Sequence, residues 1–461
     1  MNAKGSQHTL NRRAFLRSAA AGAALAVVPA IDGGTEHGDE PEPINVALLG
    51  AGGQGETLTA DCLKIPGVRF RAVCDIWESY NLLRASRWLQ RSNHPATAYT
   101  DFEEMLDREK GLNAVIVATP DFWHARHTVA CLDKGLHVYC ETPMSNTVEE
   151  ARSMVEAARK AGTLLQIGHQ RRSNPRYIYC REKVLTEMKL LGQVIAADGQ
   201  WDRAVQSPLG WPKYRALDDE TLRKYGYASM RQLRNWRWYK GLGGGPAVDL
   251  GSQQIDVYNW LLGARPRSVM ASGRSGYYRK EGFEWPDSVM VIYEYDTPQG
   301  PVNASYRVLS ANSSFGYFEV FMGDQGTLVI SEDSLLGDAF PEPQADSSLW
   351  AKWVEKGYLK SPRELSAIEK EIALPVYLVA ETPPPFFVSK EPPYKLPVKL
   401  DKPRHQPHLE NFFDAIRGRA KLNCPGEVGY ETAVTVLKIN EAIETGHKIE
   451  FKPADFVFDT D

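Results

Sequence analysis

The sequence predicts an α/β protein of two domains, a parallel sheet first and a large, mainly antiparallel open sheet second. Three observations predict it. Strand-like apolar runs alternate with helix-like segments over residues 44–168, the pattern of a parallel sheet covered by helices on both faces. A glycine-rich turn, Gly50-Ala51-Gly52-Gly53-Gln54-Gly55, joins the first strand to the first helix. Beyond about residue 170, long strands follow one another through tight turns.

The elements follow in order. Ile44–Leu49 is an apolar strand, and a helix runs from about Glu56 to Lys64. After Pro66-Gly67, the residues Val68, Phe70, Ala72 and Cys74 alternate as one face of a second strand. Helices are expected at Tyr80–Gln90 and from Asp101, where Phe102, Met105 and Leu106 have helical spacing. Asn113–Ala118 is a buried strand, followed by a helix His124–Lys134, a strand Leu136–Cys140, a helix Val148–Ala161 and a strand Leu164–Gly168. In the second domain, 169–461, Ser288–Tyr295 with Val302–Val308 and Phe315–Met322 with Thr327–Ser331 read as antiparallel hairpins. Residues 335–403 are rich in proline and read as a long surface excursion with one or two charged helices. Two helices, near His408–Gly418 and Glu427–Thr445, close the chain within 408–445.

The glycine turn lies between a strand and a helix, and Asp75 stands twenty positions after its last glycine. Gly50, Gly52 and Gly55, with Gly53 and Gln54 between them, would let the backbone approach a pyrophosphate at a helix N-terminus. Asp75 ends the second strand, where a carboxylate accepts hydrogen bonds from a ribose diol and repels a 2′-phosphate. The first domain, 44–168, is therefore a Rossmann domain for NAD, with NADP disfavoured.

The N-terminus carries a different message. Arg12-Arg13-Ala14-Phe15-Leu16 precedes an Ala-rich stretch ending Val28-Pro29-Ala30, which reads as a twin-arginine export signal over residues 1–30. A polar linker, 31–43, follows. The apolar stretch is shorter than the roughly 20 residues a membrane span requires, so no stable membrane anchor is expected. Export implies a periplasmic or otherwise external destination and the twin-arginine machinery as a partner. The 461 residues are 43% hydrophobic and 24% charged, with a formal net charge of −4. Removing the four positive charges of the first thirty residues takes that to −8, which disfavours nucleic-acid partners. Six cysteines, none in a C-x-x-C pair, read as small hydrophobes rather than a disulfide framework.

Four stretches together carry a family resemblance: the glycine turn, Ala118-Thr119-Pro120-Asp121-Phe122-Trp123-His124, Cys140-Glu141-Thr142-Pro143, and Gly243 through Asp256. The chain resembles the Gfo/Idh/MocA family, named for glucose–fructose oxidoreductase, inositol dehydrogenase and MocA. The resemblance implies a Rossmann domain followed by an α/β domain whose sheet often builds an oligomer interface, hence a homo-oligomer. It also implies a carbohydrate substrate, and it places Thr119, Pro120, His124 and Glu141 at the cofactor. The family's usual Glu-Lys-Pro lysine is Thr142 here, and its usual proton-accepting histidine is Gln253. Neither replacement titrates near neutral pH, so both are expected to line the substrate site without acting as acid or base.

Oxidising an alcohol still requires a base for the hydroxyl proton. Candidates are Asp249, one helical turn before Gln253, together with Tyr239, Lys240 and His169. Three of them also have a plainer reading: Asp249 as a helix cap, His169 as a satisfied structural histidine, Lys240 as a solvated surface lysine. Arg171 and Arg172 stand where family substrates lie, yet could equally close their loop by a salt bridge. The segment 201–240 holds Trp201, Trp211, Tyr214, Tyr225, Tyr227, Trp236, Trp238 and Tyr239, and reads either as core or as a platform for sugar rings, with Trp238 a substrate contact. His124 and His127, and His405 and His408, lack the carboxylate or thiolate set of a metal centre, so no metal is expected. Three functions are compatible with these residues. The first is an exported NAD-dependent oxidoreductase of a sugar, polyol or glycoside hydroxyl with tightly bound cofactor. The second is a redox-neutral NAD-dependent glycosidase or lyase. The third is a non-catalytic relative.

Overall fold

Six parallel strands form the first sheet in the order β3-β2-β1-β4-β5-β6. They are β1 Ile44–Leu49, β2 Val68–Cys74, β3 Thr97–Tyr99, β4 Ala114–Val117, β5 His137–Cys140 and β6 Leu165–Ile167. The computed structural model describes residues 42–332, 336–361 and 393–458, all within the unit Pro41–Asp461. The expected signal segment 1–30 and linker residues 31–41 lie outside the described residues. β1 and β4 are buried almost throughout because helices cover both faces of the sheet. The chain order reverses between β1 and β4, so a crevice opens at the carboxyl ends of these strands.

Local chemistry sets the helix ends. Asp101 accepts from the N–H groups of Glu103 and Glu104 at 3.0 and 3.3 Å, starting the helix Phe102–Arg108. Thr147 caps the helix Val148–Ala161 by accepting from Glu150 N–H at 3.2 Å, and Gly162 ends it at φ +66°. The expected helix at Tyr80 starts instead as a wide turn, Glu78–Leu82, and becomes α-helical at Leu83–Arg91. The short edge strand β3 has no apolar alternation, and only its pairing with β2 makes it a strand.

The second sheet has nine strands in the order β14-β13-β12-β11-β7-β10-β9-β8-β15. Both expected hairpins form: β9 Ser288–Thr297 with β10 Gly300–Leu309, and β11 Tyr317–Gly323 with β12 Gly326–Ile330. β7 Val194–Asp202 lies between the hairpins, parallel to β10 and antiparallel to β11. β8 is Pro266–Arg274 and β15 Ile449–Glu450. The 335–403 stretch is not simply a surface excursion. It supplies β13 Gly337–Pro341 and β14 Tyr394–Lys395, and the helix Ser347–Glu355 buries Trp350 and Trp353 in the core of this domain. Residues 362–392 lie outside the described residues.

The closing helices, Gln406–Ile416 and Gly426–Thr445, do not belong to the second domain alone. Leu409, Phe412 and Phe413 of the first pack with Val46, Leu48 and Leu58 of the Rossmann core. The second inserts Tyr430, Ala433 and Val434 into the Rossmann core and Val436, Ile439 and Ala442 into the other. It thereby fixes the two sheets together across a continuous apolar seam. All six cysteines are free and buried. Among the described residues, no helix is long and apolar enough to cross a membrane.

Candidate active site

A cavity of about 840 Å³ opens at the carboxyl ends of β1, β2, β4 and β5 and extends toward the second sheet. The glycine turn forms one end. Gly50 has φ +88°, and a Cβ there would lie 2.6 Å from the Ala118 carbonyl oxygen. A Cβ on Gly55 would fall 2.0 Å from the Gly50 carbonyl oxygen, so this glycine lets the helix Gly53–Cys62 close onto the turn. Gly52 and Gly53 have open space where a Cβ would be, and no side chain caps the helix N-terminus they precede. That shape and dipole fit a diphosphate.

Asp75 lines the same end. Its carboxylate accepts from Ala51 N–H and Trp77 N–H, each at 2.8 Å, and from the Asn81 amide at 3.2 Å. Burial pushes its pKa up, against the pull of these donors. Asp75 thus ties the end of β2 to the glycine turn while facing the space a ribose would fill. Thr119 and Pro120 end the β4 segment in the cavity wall. His124 is buried beneath them, its ring nitrogens 2.7 Å from the Thr119 carbonyl and 2.9 Å from the Pro143 carbonyl. Burial depresses its pKa. Glu141 accepts from the Gln54 amide at 3.2 Å, and burial raises its carboxyl.

Thr142 and Gln253 both line the cavity and meet there. The Gln253 amide N–H₂ is near Thr142 Oγ1 at 3.1 Å, the Gly168 carbonyl at 3.2 Å and Gln170 Oε1 at 3.0 Å. Gln253 Oε1 is buried with no partner among the described residues. An acceptor therefore remains for a hydroxyl donor. Gln253 sits on the long helix Gly245–Leu262, almost wholly buried between the second sheet and the helix Gly426–Thr445.

Asp249, one turn earlier, also lines the cavity and pairs with Arg237 at 3.1 Å. Asp121 lies buried close to both. Its carboxyl is pushed well up, first by burial and then by the Asp249 charge. It accepts from Gly244 N–H at 3.3 Å. Arg237 and Asp249 thus form an ion pair in the cavity lining, with Asp121, Arg203 and Gln170 in the same wall.

The other expected site residues stand elsewhere. Lys240 is exposed, over the Trp285 ring and ion-paired to Glu444, and Tyr239 packs edge-on against Phe283; neither lines the cavity. His169 is buried behind the wall near Asp256 and Arg172, and burial lowers its pKa to about 4. Arg171 is not a substrate contact. Its guanidinium is fully buried against Glu319 and Glu332, at 3.3 Å from the latter, so the salt-bridge reading is the one the structure gives. Arg172 grips Asp256 through two nitrogens at 2.8–3.0 Å. His169, Asp256 and Cys424 bring ligand atoms within 4.8 Å of one another. Arg172 and Thr432 already occupy the Asp256 carboxylate, and burial holds the Cys424 thiol protonated. This cluster is a structural one.

The aromatic segment serves both roles. Tyr227 and Trp236 join Trp77, Leu222 and Met230 in a small core and also line the cavity, as do Trp201, Tyr225 and Trp238. Trp238 stacks on Phe283 with ring centroids 4.9 Å apart, presenting a fixed indole to the cavity. Sequence reasoning missed Arg237, Arg203, Arg404 and His405 as cavity residues. Arg237 could have been found from its place between two tryptophans. Arg404 and His405 follow the proline-rich stretch, far from any motif.

Two family models match the chain. Residues 44–169 match the oxidoreductase family with an NAD-binding Rossmann fold, and residues 187–329 match the GFO/IDH/MocA C-terminal domain. D-glucoside 3-dehydrogenase of Escherichia coli (strain K12) is 25% identical over 417 residues, 88% of this chain and 97% of that protein. A glycosyl hydrolase family 109 protein of Saccharopolyspora erythraea is 33% identical over 171 residues, covering 32% of this chain and 37% of its own. Among solved structures, the aldose–aldose oxidoreductase of Caulobacter crescentus complexed with glycerol superposes with a TM-score of 0.64 at 17% identity. That match covers 89% of this chain and 100% of the other. With the glycine turn, Asp75 and the two sheets in place, the chain belongs to the Gfo/Idh/MocA family of NAD(P)-dependent sugar and polyol oxidoreductases, as an NAD-binding Rossmann domain joined to that family's C-terminal domain.

Proposed function

We propose that this protein is an exported oxidoreductase that acts on a hydroxyl of a sugar, polyol or glycoside with a tightly held NAD. One observation carries the reading. A single cavity is lined by the glycine turn and Asp75, by Thr142 and Gln253, by the ion pair of Arg237 and Asp249 with Asp121, and by the indoles of Trp201 and Trp238. Bound NAD would supply the acceptance and return of hydride. Gly52 and Gly53 would admit the diphosphate, and Asp75 would hold the adenosine ribose. Gln253 Oε1 would accept from a substrate hydroxyl, while Thr142 steadies the Gln253 amide. Asp249 is the titratable candidate that lines the cavity, and it would take the hydroxyl proton at its carboxylate. Arg237 keeps that carboxylate oriented. The indole faces would stack on the apolar face of a sugar ring.

The likeness to a family 109 glycosyl hydrolase, together with the missing lysine and histidine, supports a second reading: oxidation, elimination, water addition and reduction within one glycoside, without net redox change. Export rests on Arg12 and Arg13, and a homo-oligomer on the outer face of the second sheet. There Met270 pairs across strands with Ile292, beside exposed Met290.

The test uses the mature protein. Its absorbance at 340 nm is followed while aldoses, inositols and glucosides are added in turn, and products are identified by mass spectrometry. Reduction of bound cofactor supports the oxidoreductase. Cleavage of a glycoside without net reduction supports the cycle. Silence with every compound refutes both and leaves a binding protein. Export is tested by fractionating cells that express Arg12→Lys with Arg13→Lys. The variant should stay in the cytoplasm, and equal external yield would rule out the twin-arginine route.

A further inference from the structure

The glycine turn offers a diphosphate only backbone N–H groups, for residues 50–55 include no lysine or arginine. A cation at this end of the cavity must come from elsewhere in the chain. Arg404 and His405 line the cavity. They stand immediately before the helix Gln406–Ile416, whose Leu409, Phe412 and Phe413 pack against Leu58 of the helix that follows the glycine turn. Arg404 is exposed and has no partner among the described residues. His405 is 9% exposed, and its Nδ1 is buried with no partner among the described residues. Glu141, bonded to Gln54 of the turn, lines the same cavity. Because the helix that begins after His405 packs against the helix that follows the glycine turn, His405 reaches the cavity from the cofactor side.

We propose that Arg404 and His405 are ligands of the bound dinucleotide, the guanidinium for its diphosphate and the imidazole for an oxygen beside it, and that they account for its retention. The inference rests on the reading that NAD is tightly held. The arrangement gives two segments, some 350 positions apart in sequence, a joint grip on one ligand. An exposed arginine side chain that meets no carboxylate costs little to redirect onto a phosphate, and its hydrogen bonds there are charge-assisted and potentially bidentate. Release of the ligand would then require both the glycine turn and the Arg404 side chain to let go.

The full chain is purified as wild type, Arg404→Ala, Arg404→Lys, His405→Gln and, as control, Lys402→Ala, whose side chain pairs with Glu410 on the surface. Bound NAD is counted by mass spectrometry after denaturation, and NADH release is timed by fluorescence after dilution into excess NAD. Arg404→Ala should release NADH roughly ten- to a hundredfold faster and should purify with less NAD. Arg404→Lys should recover part of the loss, and Lys402→Ala should match wild type. His405→Gln should release NADH faster at an unchanged melting temperature of the ligand-free protein. Wild-type release and content in both Arg404→Ala and His405→Gln would overturn the proposal while leaving tight binding intact. Wild type that neither carries nor binds NAD would overturn the proposal together with the reading beneath it.

Discussion

His408 should make this protein lose stability in mild acid, by an amount that one substitution can isolate. The side chain is fully buried on the helix Gln406–Ile416. Its Nε2 lies 2.9 Å from the Ile167 carbonyl and its Nδ1 2.6 Å from Ser173 Oγ. The carbonyl can only accept, so Nε2 carries the proton and Nδ1 accepts from the serine hydroxyl. That hydroxyl in turn accepts from the Asn423 amide at 2.8 Å. A second proton on the ring would break this chain, and burial brings the His408 pKa down to about 3. An unfolded histidine titrates near about 6.5. The folded value is the lower one, so the folded state binds fewer protons. The stability is whole above about pH 6.5 and is lost as the pH falls toward the folded value. Between pH 7.5 and 5 the unfolded state gains about 2 kcal/mol from this one group. Buried carboxyls such as Asp121 and Glu141 respond in the opposite sense, because burial raises their pKa values. The comparison must therefore cancel them. His408→Gln keeps one N–H donor for Ile167 and one oxygen acceptor for Ser173 but does not titrate. Guanidinium unfolding of both proteins at pH 7.5 and 5 should show that the variant loses about 2 kcal/mol less than wild type over this interval. Equal losses would refute the reasoning, since the histidine would then be titrating alike in both states.

Asp75→Ala should weaken NAD at least about tenfold, the loss of one or two charge-assisted hydrogen bonds, and should weaken NADP less. Competitive titration with both cofactors checks it, and unchanged selectivity would mean that the carboxylate serves only Ala51 and Trp77. Thr142→Ala and Gln253→Ala should lower turnover without shifting its pH optimum, because neither side chain titrates, whereas Asp249→Asn should remove the acidic limb of the profile, along which the base takes up a proton and stops working. A displaced optimum in either of the first two would make their pair part of the proton path.

The residues 44–168 declared their fold because a parallel sheet buried on both faces forces continuous apolar strands, and a strand-to-helix turn that admits a diphosphate needs glycine at fixed places. Gly50 and Gly55 show the constraint directly, since a Cβ at either would strike backbone. The hairpins of the second sheet were legible from their turns. The strands β13 and β14 at one end of that sheet were not, because a proline-rich segment becomes a strand only when a neighbour supplies the pairing. The same difference runs through the site. The sequence by itself determined the turn, Asp75, and the Thr142 and Gln253 replacements, all of which lie in local motifs. Only the tertiary structure decided that Arg171 spends its charge on Glu319 and Glu332, that Lys240 faces away, and that Asp121, Arg237 and Asp249 line one cavity. It also brought Arg404 and His405 to a cavity whose first wall begins at Leu49. Charge pairing and burial depend on distances between segments remote in the chain, and no local pattern of residue types carries those distances.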